Sequence, residues 1–167
     1  MANGVKSAEL RMEIHYNADA RRNRVESSNR CQSYLFSRTI IVAQQTILSV
    51  GQCGPDHSSI SQFLTQHFDV NIVTADLPDD TLDALRNQSV DLVLINRKLD
   101  TDYTDGMIIL KMIKADPLLA ETPVMIVSNF EDAQQAAVAA GAEYGIGKSE
   151  LTLPATRERV AAVLRQE

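Results

Sequence analysis

The sequence predicts an α/β fold in which a doubly wound, five-stranded parallel sheet carries helices on both faces. From residue 46 onward, five short apolar runs alternate with five segments of helical periodicity, which is the pattern of a βαβ series. The runs are apolar almost throughout, as expected for strands that are covered on both faces. Right-handed crossovers between such strands give an open sheet of about 120 residues.

The predicted strands are short and rich in Val, Ile and Leu, the residues that favour buried strands. They comprise residues 46–51, 70–75, 90–95, 122–128 and 142–147. The third run is apolar from Leu92 to Ile95, which indicates a buried strand, and it ends at Asn96.

The segments between these runs carry the signals of helices. Pro55 and Asp56 follow Gly54 and begin the first helix, since proline and an acidic residue are favoured in a first turn. One face of that helix is apolar and consists of Ile60, Phe63, Leu64 and Phe68. Four further helices are predicted from Pro78 through Leu85, from Gly106 to Asp116, from Glu131 to Ala140 and from Leu153 to Arg165.

The first 45 residues differ from the rest of the chain. They lack a sustained apolar period and carry seven Lys/Arg against four Asp/Glu, a net charge of +3. Residues 46–167 carry nine against eighteen, a net charge of −9. We therefore expect a basic leader, residues 1–45, that is poorly ordered or follows from a mis-assigned start codon, and one domain, residues 46–167.

Charge and composition exclude several classes of protein. A domain with a net charge of −9 argues against binding to nucleic acid. Cys31 and Cys53 have no metal-ligand spacing. No apolar run approaches the ~20 residues of a membrane span, and the leader has no signal-peptide core. We expect a cytoplasmic protein with no membrane partner.

The candidate functional residues follow the strands, because ligands of a doubly wound sheet bind at the carboxyl edge. Gly51 and Gln52 follow the first strand, Asn96 ends the third, Ser128 the fourth and Lys148 follows the fifth. We expect Asn96, Ser128 and Lys148 to converge within about one hydrogen-bonding shell at that edge.

These residues and their surroundings resemble the receiver domain of bacterial two-component response regulators, which has a flavodoxin-like sheet. The matching segments are residues 46–50 (TILSV), 91–96 (DLVLIN), 105–107 (DGM), 122–128 (TPVMIVS) and 141–148 (GAEYGIGK). The resemblance extends from residue 46 to residue 166, about three quarters of the chain.

The resemblance implies a phosphorylation site. It places an acceptor aspartate after strand three, two Mg²⁺-binding acids after strand one, a Ser/Thr after strand four and a lysine after strand five. In this chain Ser128 and Lys148 match, but Gly51 and Gln52 replace the acid pair and Asn96 replaces the acceptor. Because an amide is not a usable nucleophile, we expect a phosphorylation-incompetent pseudo-receiver without a Mg²⁺ site, a cofactor or a catalytic residue.

Several residues have alternative interpretations. Lys148 is either a solvated lysine or a donor to Asn96 and Ser128. Ser128 alternatively satisfies backbone groups at a strand end. The resemblance implies an aromatic switch residue three positions before Lys148, where this chain has Gly145; the neighbouring Tyr144 either packs or takes that part.

Three functions fit the sequence to different degrees. The first is a protein-interaction module in a two-component phosphorelay that binds a histidine kinase or another signalling protein through residues 130–165. The second is a phosphorylatable single-domain response regulator with an atypical acceptor such as Asp100, which with Asp102 and Asp105 otherwise belongs to a solvated loop. The third, a small enzyme, is disfavoured because the chain has no nucleophile–base pair or cofactor motif, and we expect no enzymatic activity.

Overall fold

The computed structural model describes residues 44–164, in which strands and helices alternate along the chain. The elements in chain order are β1 (Gln45–Val50), α1 (Gly54–His67), β2 (Val70–Ala75), α2 (Pro78–Asn87), β3 (Leu92–Asn96), α3 (Gly106–Ala115), β4 (Val124–Val127), α4 (Glu131–Ala139), β5 (Glu143–Ile146) and α5 (Pro154–Leu164). The predicted leader lies outside the described residues except for Gln44 and Gln45. The prediction of five strands alternating with five helices is confirmed.

The five strands form one parallel sheet in the order β2-β1-β3-β4-β5. This confirms the doubly wound, flavodoxin-like topology. The strand order reverses direction at β1, so the carboxyl ends of β1 and β3 flank the topological switch point, where such sheets place their functional groups. Val50, the last residue of β1, is in register with Ile95 of β3.

Both faces of the sheet are covered, which explains the apolar strands. One core lies between the sheet and α2, α3 and α4, and a second lies between the sheet and α1 and α5. In β3 the side chains alternate between the two cores, so that four consecutive residues, Leu92 to Ile95, are completely buried. A polar group at the end of this strand is therefore fixed by the packing of the whole domain.

The chain after β5 departs from the sequence prediction. A strand was predicted through Gly147, but β5 ends at Ile146, and a short 3₁₀ helix, η1 (Lys148–Glu150), follows. The Glu150 amide closes this turn by donating to the Gly147 carbonyl at 3.0 Å. Lys148 thus stands in a helical turn beyond the sheet, where its side chain can extend toward α1.

Within residues 44–164, no helix is both long enough and apolar enough to cross a membrane.

Asp91 provides a test of how β1 and β3 are aligned. Its carboxylate accepts from the Thr46 amide at 2.6 Å, and its own amide donates to the Thr46 carbonyl at 2.8 Å. We expect Asp91→Ala to lower the free energy of unfolding by about 1–2 kcal/mol, because the half-buried Thr46 amide loses its acceptor. Urea denaturation provides the measurement.

The matched control is Asp83→Ala, at an exposed acidic position on α2, which we expect to cost less than about 0.5 kcal/mol. Equal losses in the two variants would mean that the Asp91–Thr46 pair does not stabilise the strand alignment.

Candidate functional site

A cleft of about 200 Å³ opens at the carboxyl edge of the sheet, at the ends of β3, β4 and β5. Its lining includes Asn96, Ser128 and Lys148, so three of the strand-end residues selected from the sequence lie around one space. The remaining lining residues are Arg97, Lys98, Val127, Asn129 and Phe130. β3 and β4 are neighbours in the sheet, and β5 lies beside β4, which explains why these ends meet.

Asn96 is buried and its amide is engaged. Its Nδ2 atom donates to the carbonyl oxygen of Gly51 at 2.9 Å, and the same oxygen accepts from the Asp100 backbone amide at 3.0 Å. An aspartate in this rotamer would place a carboxylate oxygen against the Gly51 carbonyl oxygen, a repulsive contact between two acceptors. The observed backbone therefore favours an amide at position 96.

Gly51 cannot be replaced by an acidic residue without strain. Its φ angle is +63°, a conformation that favours glycine, and a Cβ atom would lie 2.4 Å from Cγ of Leu99. Leu99 is completely buried in the loop after β3 and packs against the glycine. The Leu99 side chain therefore occupies the space that a side chain at position 51 would need.

Gln52 contributes only neutral groups to this edge. Its Nε2 atom makes a long contact of 3.5 Å with the Val50 carbonyl, and its buried Oε1 atom has no hydrogen-bond partner among residues 44–164. At positions 51, 52 and 96, where the resemblance implies acidic residues, this chain therefore has only amide and backbone groups.

Lys148 pairs with an acidic residue that the sequence analysis did not select. Its Nζ atom donates to Oδ2 of Asp56 at 2.5 Å, rather than to Asn96 or Ser128, and the lysine is only 31% exposed. Neither interpretation offered for Lys148 from the sequence describes this contact. Asp56 was recognised only as an acid in the first turn of α1. Two features of the sequence could have indicated the pair: Asp56 lies one helical turn after the positions of the missing acid pair, and Lys148 lacks the acidic partners that the resemblance implies.

Three features around Asp56 determine its protonation. Burial raises the pKa of Asp56, but hydrogen bonds from Lys148 and from Sγ of Cys53 at 3.1 Å, together with the charge of Lys148, lower that pKa below its ordinary value of 3.8. The carboxylate is therefore ionised at neutral pH and forms an ion pair with Lys148. Its place in the first turn of α1 adds the favourable end of the helix dipole.

The Ser128 side chain forms a hydrogen bond with the backbone at the start of α4. Its hydroxyl oxygen accepts from the Phe130 amide at 3.1 Å, and its side chain is 5% exposed. The hydroxyl proton is still able to point elsewhere, because a hydroxyl donates and accepts at once. Ser128 thus fixes the exit of β4 while it lines the cleft.

The acidic residues of the loop after β3 have local partners. Asp102 accepts from the hydroxyl and the amide of Thr104, contacts that lower the pKa of Asp102. Asp105 caps α3 by accepting from the Met107 amide at 2.9 Å. Asp100 is exposed. Within residues 44–164, no three His, Cys, Asp or Glu side chains are arranged to hold a metal ion.

The position expected to hold an aromatic switch residue is occupied differently. Gly145 is buried, and Tyr144 points to the surface, where it is 37% exposed. The Tyr144 hydroxyl donates to Glu131 on α4, and the Arg159 guanidinium of α5 lies 4.6 Å from the centre of the Tyr144 ring. The bond to Glu131 raises the pKa of Tyr144 and lowers that of Glu131. Tyr144 therefore packs across α4, β5 and α5 at the surface.

Comparison with known proteins places the domain in a family. The family model of the response regulator receiver domain matches residues 56–158. The chain belongs to this family. Among curated proteins, no match is found.

Solved receiver domains share the fold of this chain. A signal receiver domain of a DNA-binding response regulator from Colwellia psychrerythraea 34H is 25% identical over 74% of this chain and 100% of that chain, with a TM-score of 0.63. The BeF3-activated N-terminal receiver domain of RstA from Klebsiella pneumoniae is 22% identical over 73% and 100%, with a TM-score of 0.60. A response regulator from Thermotoga maritima is 20% identical over 72% and 98%, with a TM-score of 0.59.

The ion pair between Asp56 and Lys148 predicts a pH-dependent stability. We expect Asp56→Asn to lower the free energy of unfolding of the receiver domain by about 1 kcal/mol at pH 7, because the charged partner of Lys148 is removed. The pKa of Asp56 is lower in the folded state, so its contribution is complete above about pH 3.8 and is lost as the pH falls further. The difference between variant and wild type should therefore shrink below that pH in urea denaturation curves.

The control for the helix dipole is Asp80→Asn, since Asp80 is an exposed acid in the first turn of α2. If Asp56→Asn and Asp80→Asn lose the same stability at pH 7, the pairing with Lys148 contributes nothing beyond the dipole.

Proposed function

We propose that this receiver domain acts in two-component signalling, in the cytoplasm, as a protein-interaction module that is not phosphorylated at the family's position. The observation that carries the proposal is the buried hydrogen bond from Asn96 to the Gly51 carbonyl. It fixes an amide where the family has its acceptor, in a backbone arrangement that disfavours a carboxylate.

The chemistry of phosphoryl transfer supports the first half of the proposal. A carboxamide nitrogen is delocalised into its carbonyl and does not attack phosphorus as a carboxylate does. Mg²⁺ requires anionic oxygen ligands, and Gly51, Gln52 and Asn96 provide none. Without the metal, the charge on a transferred phosphoryl group is not neutralised, which removes most of the contribution such a site makes. We therefore infer that the domain has neither a Mg²⁺ site nor an enzymatic activity.

The second half of the proposal concerns the partner surface. Receiver domains interact with histidine kinases and other signalling proteins. We assign the contact in this chain to residues 130–165, of which the structure describes residues 130–164, here named the α4–β5–α5 face. Its exposed apolar side chains are Phe130 (58%), Val138 (44%), Tyr144 (37%) and Leu153 (49%). Aromatic anchors such as Phe130 and Tyr144, flanked by arginines, are typical of protein interfaces. The acidic charge of residues 46–167 supports a protein partner over a nucleic acid.

Phe130 is the anchor best suited to a test. It stands at the N-terminus of α4, where it also lines the cleft, and the Arg97 guanidinium lies 5.0 Å from its ring centre. The ring is thus oriented by a residue of the loop after β3 while most of its surface faces solvent. A partner that covers the α4–β5–α5 face would bury it.

Treatment with a small phosphoryl donor tests the loss of phosphorylation. We expect acetyl phosphate with Mg²⁺ to leave the intact mass of the full-length chain unchanged, because no carboxylate stands at the acceptor position. A receiver domain that retains the acceptor aspartate is the positive control under the same conditions.

A stoichiometric, hydroxylamine-labile adduct of one phosphoryl group on the wild-type chain would refute the proposal. Peptide mapping would then show whether the acceptor is Asp100 in the exposed loop or Asp56 beside Lys148.

A surface variant tests the location of the interaction. We expect Phe130→Ser to weaken binding of a signalling partner captured with the full-length chain by about tenfold, as for a central aromatic anchor. Treatment with acetyl phosphate should leave the affinity of the wild type unchanged. The purified partner and titration calorimetry provide the measurement.

The matched control is Ile108→Ser on α3, because Ile108 is 51% exposed and lies outside the α4–β5–α5 face. A partner that is released by Ile108→Ser but retained by Phe130→Ser would move the interface to α3.

A further inference from the structure

The pairing of β4 with β5 is interrupted where Gly145 stands. Met125 pairs with Glu143, and the next paired residues are Val127 and Ile146, so β5 has one residue more than β4 between the two pairs. Such a bulge leaves backbone groups without their ladder partners. Buried backbone groups without partners are costly, so another part of the chain must satisfy them.

The side chain of Gln134 forms hydrogen bonds with three backbone groups at the bulge and directly after it. It extends from α4, is 3% exposed, and uses both ends of its carboxamide. Its Nε2 atom donates to the carbonyl oxygens of Ile126 (3.1 Å) and Ser128 (3.0 Å), and its Oε1 atom accepts from the Gly145 amide (2.9 Å). One buried amide thus joins α4, β4 and β5.

Arg159 completes the attachment of Gly145 from the other face of the sheet. Its Nη1 atom, on α5, donates to the Gly145 carbonyl oxygen at 2.6 Å. Both backbone groups of Gly145 are therefore bonded by side chains, one from α4 and one from α5. β5 is held at this residue between the two helices that flank it.

The packing at Gly145 leaves no room for a side chain. A Cβ atom would lie 1.9 Å from the Ile126 carbonyl oxygen and 2.6 Å from Oε1 of Gln134. The glycine and the glutamine are therefore mutually dependent, since a larger residue at position 145 would displace the amide. Position 145 therefore has no side chain that could move into or out of the edge of the sheet.

We propose that Gln134 and Arg159 lock β5 between α4 and α5, so that the α4–β5–α5 face has one conformation that does not depend on the state of the Asn96 cleft. This inference rests on the proposed function and deepens it, because a module that is not phosphorylated presents a preformed face to its partner. The Ser128 carbonyl belongs to the lock, so the cleft and the face are joined by a fixed contact rather than by a moving one. A preformed face binds without the cost of ordering its helices.

Gln134→Met tests the lock directly, because methionine has a similar length but cannot form the three hydrogen bonds. We expect the exchange protection of the Gly145 amide in the full-length chain to fall at least tenfold, since its acceptor is removed. We also expect residues 143–146 of the variant to show microsecond-to-millisecond exchange in NMR relaxation dispersion.

The matched control is Gln135→Met. Gln135 is the next residue on α4 and is exposed, and its side chain donates to Glu131 and does not contact Gly145, so the Gly145 amide should keep its protection. If Gln134→Met leaves the protection of Gly145 and the dynamics of residues 143–146 unchanged, the lock does not exist.

A measurement on the wild-type chain tests the lock even if Gln134→Met fails to fold. Relaxation dispersion of the wild type, without any phosphoryl donor, should show no exchange at residues 143–146, and exchange there would overturn the lock. This outcome is distinct from failure of the proposed function, which would appear as a phosphoryl adduct in the acetyl phosphate experiment.

Discussion

The buried hydrogen bond from Asn96 to the Gly51 carbonyl is the contact on which the architecture of the carboxyl edge depends. It joins the ends of β1 and β3 at the point where the strand order reverses. The Gly51 carbonyl is oriented toward Asn96 by a left-handed backbone conformation, and Leu99 packs against the glycine that permits it. An amide, a glycine and a leucine therefore form one unit in which none can change to an acidic or larger residue independently.

The lysine that follows β5 has its charge neutralised within the chain. Lys148 follows β5 in a 3₁₀ turn and contacts Asp56 in the first turn of α1, 92 residues earlier in the sequence. A lysine without an anionic partner beside a half-buried cleft would be unfavourable, and Asp56 supplies that partner. The ion pair also connects α1 to the segment between β5 and α5, so it stabilises the same side of the domain that carries the proposed partner surface.

A second departure from the family's pattern concerns the position of the mobile aromatic residue. Where the resemblance implies an aromatic residue that moves, this chain has a glycine enclosed by the carboxamide of Gln134 and the guanidinium of Arg159. Tyr144 is turned to the surface and is held by Glu131 and Arg159. The amides at the positions of the acids and the enclosed glycine are consistent with the proposed function, in which no phosphoryl group is accepted at the cleft and no residue has to move in response to one.

The sequence by itself determined the fold, because apolar periodicity and helix boundaries are local properties that a parallel α/β sheet imposes on every strand and helix. It also determined which residues stand at the strand ends, since Asn96 and Ser128 end apolar runs and topology brings such ends together. Only the tertiary structure decided what these residues contact. The contact between Asp56 and Lys148 depends on the directions of two side chains from distant elements. The contact between Gln134 and Gly145 depends on a bulge between β4 and β5. Both result from packing between distant elements, which no local pattern encodes.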